Sequence, residues 1–365
     1  MKHPSSVADA VPVGTYARRL ADVDACVGAR LPRLGGRALD VGCGLRLARG
    51  ADGRLTPFAP TSEELAASLP ALGVTAVDPA LPEACVRVGD AWVIMDAAGR
   101  ASACLLAARA QGDTVQLERL AHHPDGARLA ALCRAELTPR AETWWREGRE
   151  QAERTGRATV PLAIEQLGPL AALPGLAPGR GPLVELLHRP VERHAESVGT
   201  SLIARKQTLE GLAASGAGEP FDLMRIANVT AFMPDGPAGA LLRAAARVAR
   251  EGAWLVEAGT VALGGEAVLT ALALARNTGG VWSPRELWLS PAGTPTFLAR
   301  GGAELPAVLG PAGPPLVRAL VQADRALRSK GAEPDAPTMA AALQSLGHRA
   351  SSAAGLPLVG LSVTT

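Results

Sequence analysis

Apolar and polar positions alternate in the first quarter of the chain with two different periods. Residues 14–34 place apolar side chains at intervals of three or four positions, which predicts an amphipathic helix. Two short apolar segments follow, and each predicts a buried strand. The first, Arg37–Val41, is followed by Gly42-Cys43-Gly44, and the second, Val74–Val77, is followed by Asp78-Pro79.

The stretch between these two predicted strands contains a turn signal and a helix signal. Asp52-Gly53 lies between apolar neighbours, which predicts a small hairpin. Thr61 and Glu64 have the spacing of a capping box before Leu65–Leu69, which predicts a short helix.

The alternation changes beyond residue 85. Short apolar segments between residues 92 and 120 predict strands joined by polar turns. A helical stretch over 126–155 contains Pro139, which predicts a break or a kink. The Pro- and Gly-rich stretch 168–182 then indicates a boundary. We interpret 85–165 as an inserted α+β lobe.

Strand and helix patterns alternate again in the second half. Strands that alternate with helices favour a parallel, doubly wound sheet. Arg225 lies inside one of these predicted strands, where we expect it to pair with a carboxylate. The predicted elements are a strand at Leu183–Leu187, a helix over 201–214, a strand at Phe221–Asn228, a helix at Ala238–Arg250, a strand at Ala253–Ala258, helices at Pro315–Lys330 and Ala336–Leu346, and a final strand at Leu356–Val363.

Composition narrows the class of protein. Hydrophobic residues make up 48% of the chain but aromatic residues only 3%, so the core must consist mainly of Ala, Leu and Val. The net charge of +2 comes from interspersed charges, which indicates neither a nucleic-acid partner nor a membrane surface. Val256–Ala275 is apolar but contains Glu257 and Glu266, which is typical of core elements and not of a membrane span.

The five cysteines form no C-x-x-C pair, so neither a disulfide framework nor a metal site is expected. Met1–Val13 lacks the apolar core of a secretion signal. These features together predict a cytoplasmic protein.

The most informative motif is Ala38-Leu39-Asp40-Val41-Gly42-Cys43-Gly44. Glycines directly after a strand let the backbone turn tightly and approach a ligand without a Cβ in the way. The run resembles motif I of the class I S-adenosylmethionine-dependent methyltransferases, an apolar strand followed by D/E-x-G-x-G. The resemblance implies a Rossmann-like fold and S-adenosylmethionine as cofactor, with Asp40, Gly42, Cys43 and Gly44 among the residues that bind it.

Two further segments fit the same family. Asp78 ends the second predicted strand, where the family places an acidic residue that accepts hydrogen bonds from two ribose hydroxyls. Phe221–Val229, the helix after it and Arg250–Val256 resemble the family's fourth strand, helix and fifth strand. Asn228 would then lie where the fourth strand faces the methyl group, as a candidate for both catalysis and cofactor binding. Gly252 would supply a left-handed turn before the fifth strand.

The motif also departs from the family. Arg46 occupies the place of a third glycine, and the distance from Gly44 to Asp78 is longer than the common spacing. Two functions therefore stay open. One is S-adenosylmethionine-dependent methyl transfer to a small-molecule or peptide acceptor, and the other is a non-catalytic methyltransferase-like protein that binds a ligand or a partner. A third and weaker resemblance links 91–140 to part of an acyl-CoA-dependent N-acetyltransferase, without its glycine-rich loop.

The predicted architecture is α/β: a doubly wound, mostly parallel Rossmann-like sheet with an inserted α+β lobe and a C-terminal helical extension. We divide the chain into a first part of the methyltransferase-like domain at 1–84, the lobe at 85–165, a second part of the domain at 166–300, and an extension at 301–365 that ends in a strand.

Overall fold

A computed structural model gives the fold of most of the chain. The residues it describes are 20–31, 34–43, 46–49, 55–58, 60–79, 84–89, 91–96, 98–108, 113–116, 126–157, 159–163, 168–173, 181–186, 191–195, 200–205, 207–216, 218–227, 229–230, 233, 235–263, 267–290, 306–331, 335–352 and 359–363.

Strands and helices alternate along the described part of the chain, as the sequence pattern predicts. In chain order the strands are β1 (Gly36–Val41), β2 (Arg46–Arg49), β3 (Leu55–Phe58), β4 (Leu72–Val77), β5 (Ala84–Val88), β6 (Ala91–Met95), β7 (Ala101–Ala108), β8 (Asp113–Gln116), β9 (Thr159–Pro161), β10 (Leu183–Leu186), β11 (Val191–Ala195), β12 (Thr200–Arg205), β13 (Phe221–Ala227), β14 (Ala249–Leu263), β15 (Ala267–Thr278), β16 (Val281–Ser290), β17 (Ala350–Ser352) and β18 (Val359–Ser362). The α-helices are α1 (Ala21–Arg30), α2 (Pro60–Ser68), α3 (Gly126–Leu132), α4 (Thr138–Thr155), α5 (Leu209–Ala214), α6 (Asp235–Val248), α7 (Gly313–Arg328) and α8 (Ala336–Ser345).

The larger sheet has a parallel centre, with the order β12-β4-β1-β13-β14. Val41 lies opposite Val77 of β4 on one side and opposite Ile226 of β13 on the other. The chain passes from β1 to β4 on one side and later resumes with β13 on the other, so the strand order reverses at β1. Antiparallel strands extend this sheet at both ends, β11 beside β12 and the series β15-β16-β18-β17 beside β14. The structure therefore has the predicted α/β core, a parallel sheet flanked by helices.

Helices cover both faces of the larger sheet because side chains alternate along each strand. Leu39 belongs to a core on one face, which it shares with residues of α6 and α7. Ala38 belongs to the core on the opposite face, together with Val27 of α1 and Leu65 of α2. Buried alanines, leucines and valines make up most of both cores, as the composition predicts.

A second sheet has the order β8-β7-β6-β5-β10-β9, and all of its described strand pairs are antiparallel. Its strands lie between Ala84 and Leu186, and none of them joins the larger sheet in the described part of the chain. The predicted strand at Leu183 therefore pairs with β5 of this second sheet. The proposed division of the chain at 84, 165 and 300 stays a prediction.

The helix of the second sheet is broken close to the predicted position. A π-helical turn, Cys133–Leu137, separates α3 from α4, and Pro139 occupies the first turn of α4. Proline has no N–H to bond the carbonyl four residues earlier, so the regular hydrogen-bond ladder cannot continue there. The predicted left-handed backbone of Gly252 is confirmed, with a φ of 74°, but this residue lies inside β14 and not in a turn before the strand.

The predicted helix over 201–214 is wrong in its first half. Thr200–Arg205 is strand β12, which pairs in parallel with β4, with Leu202 opposite Val74. Only Leu209–Ala214 is helical, and the side chain of Thr208 caps its start. The apolar spacing of this stretch suits both structures, and the open hydrogen-bonding edge of β4 decides in favour of the strand.

The hairpin β2–β3 agrees with the turn predicted at Asp52-Gly53, and residues 51–54 lie outside the described part. Helix α2 begins at Pro60, so Thr61 lies in its first turn and not before it. Among the described helices, none combines the length and the apolar character that a membrane crossing requires.

Candidate functional site

The predicted glycine turn and the predicted acidic residue lie side by side at one edge of the larger sheet. This carboxyl edge is where β1, β4, β12 and β13 end. The N–H of Gly42 donates a hydrogen bond to the carbonyl of Val77 at 2.8 Å, and the N–H of Asp78 donates to the carbonyl of Arg205 at 3.2 Å. Ligands of open α/β sheets bind outside the carboxyl ends of the strands, where the strand order reverses. Gly42 and Asp78 occupy that place.

Gly42 has a left-handed backbone, with a φ of 70°, which favours glycine over other residues. A Cβ at this position would lie 2.2 Å from Cγ2 of Val229. Val229 follows β13, so the segment after β13 packs directly on the glycine turn. The need for glycine at position 42 thus arises within the protein, from the backbone angle and from Val229.

Cys43 is fully buried beside this turn. Burial raises the pKa of its thiol well above the usual value, and the nearby carboxylates of Asp78 and Asp40 raise it further. The side chain is therefore a neutral thiol at physiological pH, which suits a packing role and not a nucleophile.

The side chain of Asp40 lies inside the protein, below the carboxyl edge. Arg225 donates to it twice, from Nε to Oδ1 at 3.0 Å and from Nη2 to Oδ2 at 2.8 Å. The hydroxyl of Ser62 donates to Oδ2 at 2.6 Å. The expectation that Arg225 pairs with a carboxylate is confirmed. Because these donors occupy the Asp40 carboxylate, its contribution to the site is to fix the strand that leads into the glycine turn.

A second carboxylate completes this buried cluster. Nη1 of Arg225 donates to Oδ1 of Asp24 at 2.6 Å, and both side chains are almost fully buried. Asp24 and Ser62 were not among the site residues predicted from the sequence. The helical spacing contained a signal for Asp24, because it follows the buried Leu20 by four positions and so lies on the same face of α1.

The cluster has two carboxylates and one guanidinium, and its charges are unequally compensated. Burial raises the pKa of Asp24 to about 6, although Arg225 opposes this shift. Burial by itself would lower the pKa of Arg225, but the charges of Asp24 and Asp40 outweigh it and hold that pKa above its usual value. Arg225 is therefore charged at every physiological pH, and Asp24 is the group that can take up a proton.

A further buried carboxylate lies on the other side of β13. Glu257 of β14 is fully buried, and it accepts hydrogen bonds from the hydroxyl of Thr230 and from the N–H groups of Ala307 at 2.7 Å and Val308 at 2.8 Å. In the sequence analysis Glu257 served only to exclude a membrane span. An acidic residue within an apolar strand pattern was the signal that could have pointed to this contact.

Two predicted site residues, Gly44 and Asn228, lie outside the described residues, and their roles stay predictions. The binding roles of Asp40, Gly42, Cys43 and Asp78 also stay predictions, although the structure brings the last three to one edge. Within the described part of the chain, no group of three or more His, Cys, Asp or Glu side chains could hold a metal ion. The five cysteines all lie in the described part of the chain, where they are buried and form no disulfide.

No protein-family model matches the chain, and no curated protein is similar to it in sequence. Solved structures that resemble it include the following three. An amino pentose methyltransferase from Micromonospora echinaspora, solved with S-adenosylmethionine bound, is 13% identical over 96% of this chain and 92% of its own, with a TM-score of 0.24. A sugar N-methyltransferase from a Streptoalloteichus species is 12% identical over 96% of this chain and 89% of its own, with a TM-score of 0.25.

The third structure is an S-adenosylmethionine-dependent methyltransferase from Clostridium acetobutylicum, 10% identical over 74% of this chain and 72% of its own, with a TM-score of 0.22. All three are methyltransferases, the class that the glycine motif also resembles. With such low scores the likeness adds nothing about the site, so its chemistry has to be inferred from the chain's own residues.

Proposed function

We propose that the protein binds S-adenosylmethionine at the carboxyl edge of its larger sheet and transfers the methyl group to a small-molecule or peptide acceptor. The observation that carries this proposal is the juxtaposition of Gly42 and Asp78. They follow adjacent parallel strands, beside the point where the strand order reverses.

The residues at this edge fit such a cofactor. The carboxylate of Asp78 can accept hydrogen bonds from two neighbouring hydroxyls, as a ribose offers them. The left-handed turn at Gly42 carries the backbone past the strand end, where Cys43 and Gly44 would border the ligand. Asn228 precedes Val229, which packs on this turn, so its amide would lie next to the reacting group.

Bound here, S-adenosylmethionine would supply a methyl group on a positively charged sulfur, already activated for transfer. The contribution of the protein would then be to align the acceptor with that group and to exclude water. The amide of Asn228 can both donate and accept a hydrogen bond, so it could orient an acceptor without a change of charge.

The chain passes between the larger sheet and the second sheet at this same carboxyl edge. Strand β4 ends at Val77 and β5 begins at Ala84, so the chain enters the second sheet from the carboxyl edge. It returns through β11, whose first residue, Val191, lies opposite Ala204 near the end of β12. Because both connections leave from this edge, we propose that the inserted lobe borders the acceptor. A cytoplasmic setting stays part of this proposal.

A non-catalytic binding protein is the second candidate, and one observation favours it. The hairpin β2–β3 lies between the glycine turn and α2. Dinucleotide sites of α/β proteins commonly place a helix N-terminus directly after the glycine turn, where its N–H groups face the ligand. The N-acetyltransferase resemblance has no support of this kind, because Asp125–Ala130, where its glycine-rich loop would lie, contains one glycine and helix α3 begins there at Gly126.

Calorimetry with S-adenosylhomocysteine, the product form of the cofactor, tests the first proposal. We expect the wild type to bind it and Asp78→Ala to bind it about tenfold or more weakly, since losing a charge-assisted hydrogen bond costs roughly 1.5–3 kcal/mol. Glu219→Ala serves as the control, because this exposed acid precedes β13 at the opposite edge of the sheet.

A wild type that does not bind S-adenosylhomocysteine would contradict the proposed function. A folded Asp78→Ala variant with wild-type affinity would contradict the role of Asp78 alone. Binding without methyl transfer to any of a panel of amines, alcohols and peptides would favour the non-catalytic candidate.

A further inference from the structure

We propose that Glu257 is a positioning residue, which acts through Thr230 to hold the segment after β13 against the glycine turn and fastens the C-terminal segment to the same place. This inference rests on the proposed function, because it concerns the edge at which the cofactor would bind.

Three donors from two distant segments converge on the Glu257 carboxylate. Oε1 accepts from the hydroxyl of Thr230 and from the N–H of Ala307, and Oε2 accepts from the N–H of Val308. Thr230 lies 27 positions before Glu257, and the other two lie 50 and 51 positions after it. The carboxylate therefore joins the segment after β13 to the start of the Ala307–Ala312 segment.

The donors on the C-terminal side need such an acceptor. Ala307 and Val308 begin a 3₁₀ helix, Ala307–Ala312, and the first N–H groups of a helix have no partner within it. A carboxylate at this end satisfies both N–H groups with charge-assisted hydrogen bonds. Glu257 thus defines where the C-terminal segment docks on the larger sheet.

Because Glu257 is buried, the stability of the folded chain depends on the hydrogen bonds that its carboxylate accepts. Glu257 is fully buried in the strand, opposite Ile226 of β13. A buried carboxylate is unfavourable unless its oxygens are hydrogen-bonded, and the loss of one partner leaves part of that cost uncompensated. Removing the Thr230 hydroxyl should therefore loosen both the segment after β13 and the segment that begins at Ala307.

The connection reaches the candidate site through one residue. Val229 directly precedes Thr230, and its Cγ2 fills the space that a Cβ at Gly42 would occupy. A displacement of Thr230 would therefore change the packing on the glycine turn. In this way the C-terminal segment, which is far from Gly42 in sequence, helps to set the shape of the carboxyl edge.

Two variants at one position separate this role from simple stabilisation. Thr230→Val keeps the shape of the side chain but removes the hydroxyl, whereas Thr230→Ser keeps the hydroxyl and removes a methyl group. We expect faster hydrogen–deuterium exchange in Thr230→Val, both in peptides that contain Thr230 and in peptides that contain Ala307. We also expect S-adenosylhomocysteine to bind about fivefold or more weakly to Thr230→Val, with Thr230→Ser close to the wild type.

Glu257→Gln, which keeps the length of the side chain, should behave as Thr230→Val does. If this variant does not fold, the two Thr230 variants still carry the test. A lower thermal midpoint with wild-type affinity for S-adenosylhomocysteine in Thr230→Val would overturn the positioning role. Equal exchange in the two Thr230 variants would overturn the connection itself, even if the wild type did not bind the probe and the proposed function had failed.

Discussion

Asp24, Asp40 and Arg225 bring two negative charges and one positive charge into the same buried volume. Asp40 accepts hydrogen bonds from both Arg225 and Ser62, but Oδ2 of Asp24 is buried without a hydrogen-bond partner. Glu64 adds a further negative influence on Asp24. Burial is the largest cause of the raised pKa of Asp24, and the negative charges of Asp40 and Glu64 raise it further.

The raised pKa of Asp24 predicts a pH dependence of stability. The pKa of Asp24 is about 6 in the folded chain, against 3.8 for an ordinary aspartate, so the folded chain binds the proton more tightly. The free energy of unfolding should then rise as the pH falls from above 6 towards 4, and the contribution should be absent at higher pH.

Asp24→Asn has no proton to bind at this position and should lack that rise. Between pH 7.5 and pH 5, urea unfolding should show the wild type gaining on the order of 1 kcal/mol relative to Asp24→Asn. Other carboxyl groups are common to both chains, so they cancel in the comparison. Parallel pH profiles for the two proteins would contradict the assignment of the proton to Asp24.

At the scale of elements, two helical glycines show that packing determines whether a change from glycine to alanine stabilises or destabilises the protein. Gly148 of α4 faces Val184 of β10, and a Cβ at this position would lie 2.5 Å from the valine Cβ. Gly28 of α1 has only the carbonyl of Ser68 nearby, at 3.7 Å, which is an ordinary contact. Close approach between helix and strand therefore requires glycine in α4 but not in α1.

The same change should have opposite effects at these two positions. Gly28→Ala should stabilise the protein by up to about 1 kcal/mol, because alanine favours the helix. Gly148→Ala should destabilise it by roughly 1–3 kcal/mol, because α4 would have to move away from β10. Urea unfolding of both variants measures the two effects, and a gain in stability for Gly148→Ala would show that α4 packs differently.

At the scale of the whole molecule, the described hydrophobic residues form three separate cores. Two of them cover opposite faces of the larger sheet, and the third lies between the second sheet and its helices. Leu137 belongs to the third core and Leu320 of α7 to one of the first two, and both are fully buried. The second sheet thus has an apolar core of its own.

Truncation of one leucine in each core tests this separation. Leu137→Ala and Leu320→Ala should each cost roughly 2–5 kcal/mol. Native-state hydrogen exchange should then quicken mainly in β5–β7 for Leu137→Ala and mainly in β14–β16 for Leu320→Ala. If both variants quicken exchange in both sheets to the same degree, the two sheets unfold as one cooperative unit.

Local patterns in the sequence by themselves determined much of the parallel centre. The strands at Arg37–Val41, Val74–Val77 and Phe221–Asn228 were predicted with small errors at their ends, because each is a short apolar run bounded by turn residues. The position of Gly42 and Asp78 at the same edge of the sheet could be predicted for the same reason. Parallel strands bring their carboxyl ends together, so a residue that ends one strand lies beside the residue that ends its neighbour.

Other features were decided only by the tertiary structure. The sequence placed a helix where β12 lies, because the apolar spacing of Thr200–Arg205 does not show the open edge of β4 that it pairs with. It placed Asp40 among the residues that would bind the cofactor, but it did not show that Arg225, 185 positions away, donates to the Asp40 carboxylate. The hydrogen bonds of Glu257 could not be predicted from the sequence for the same reason. A buried charge is tolerated only where donors converge on it, and those donors become neighbours only when the chain has folded.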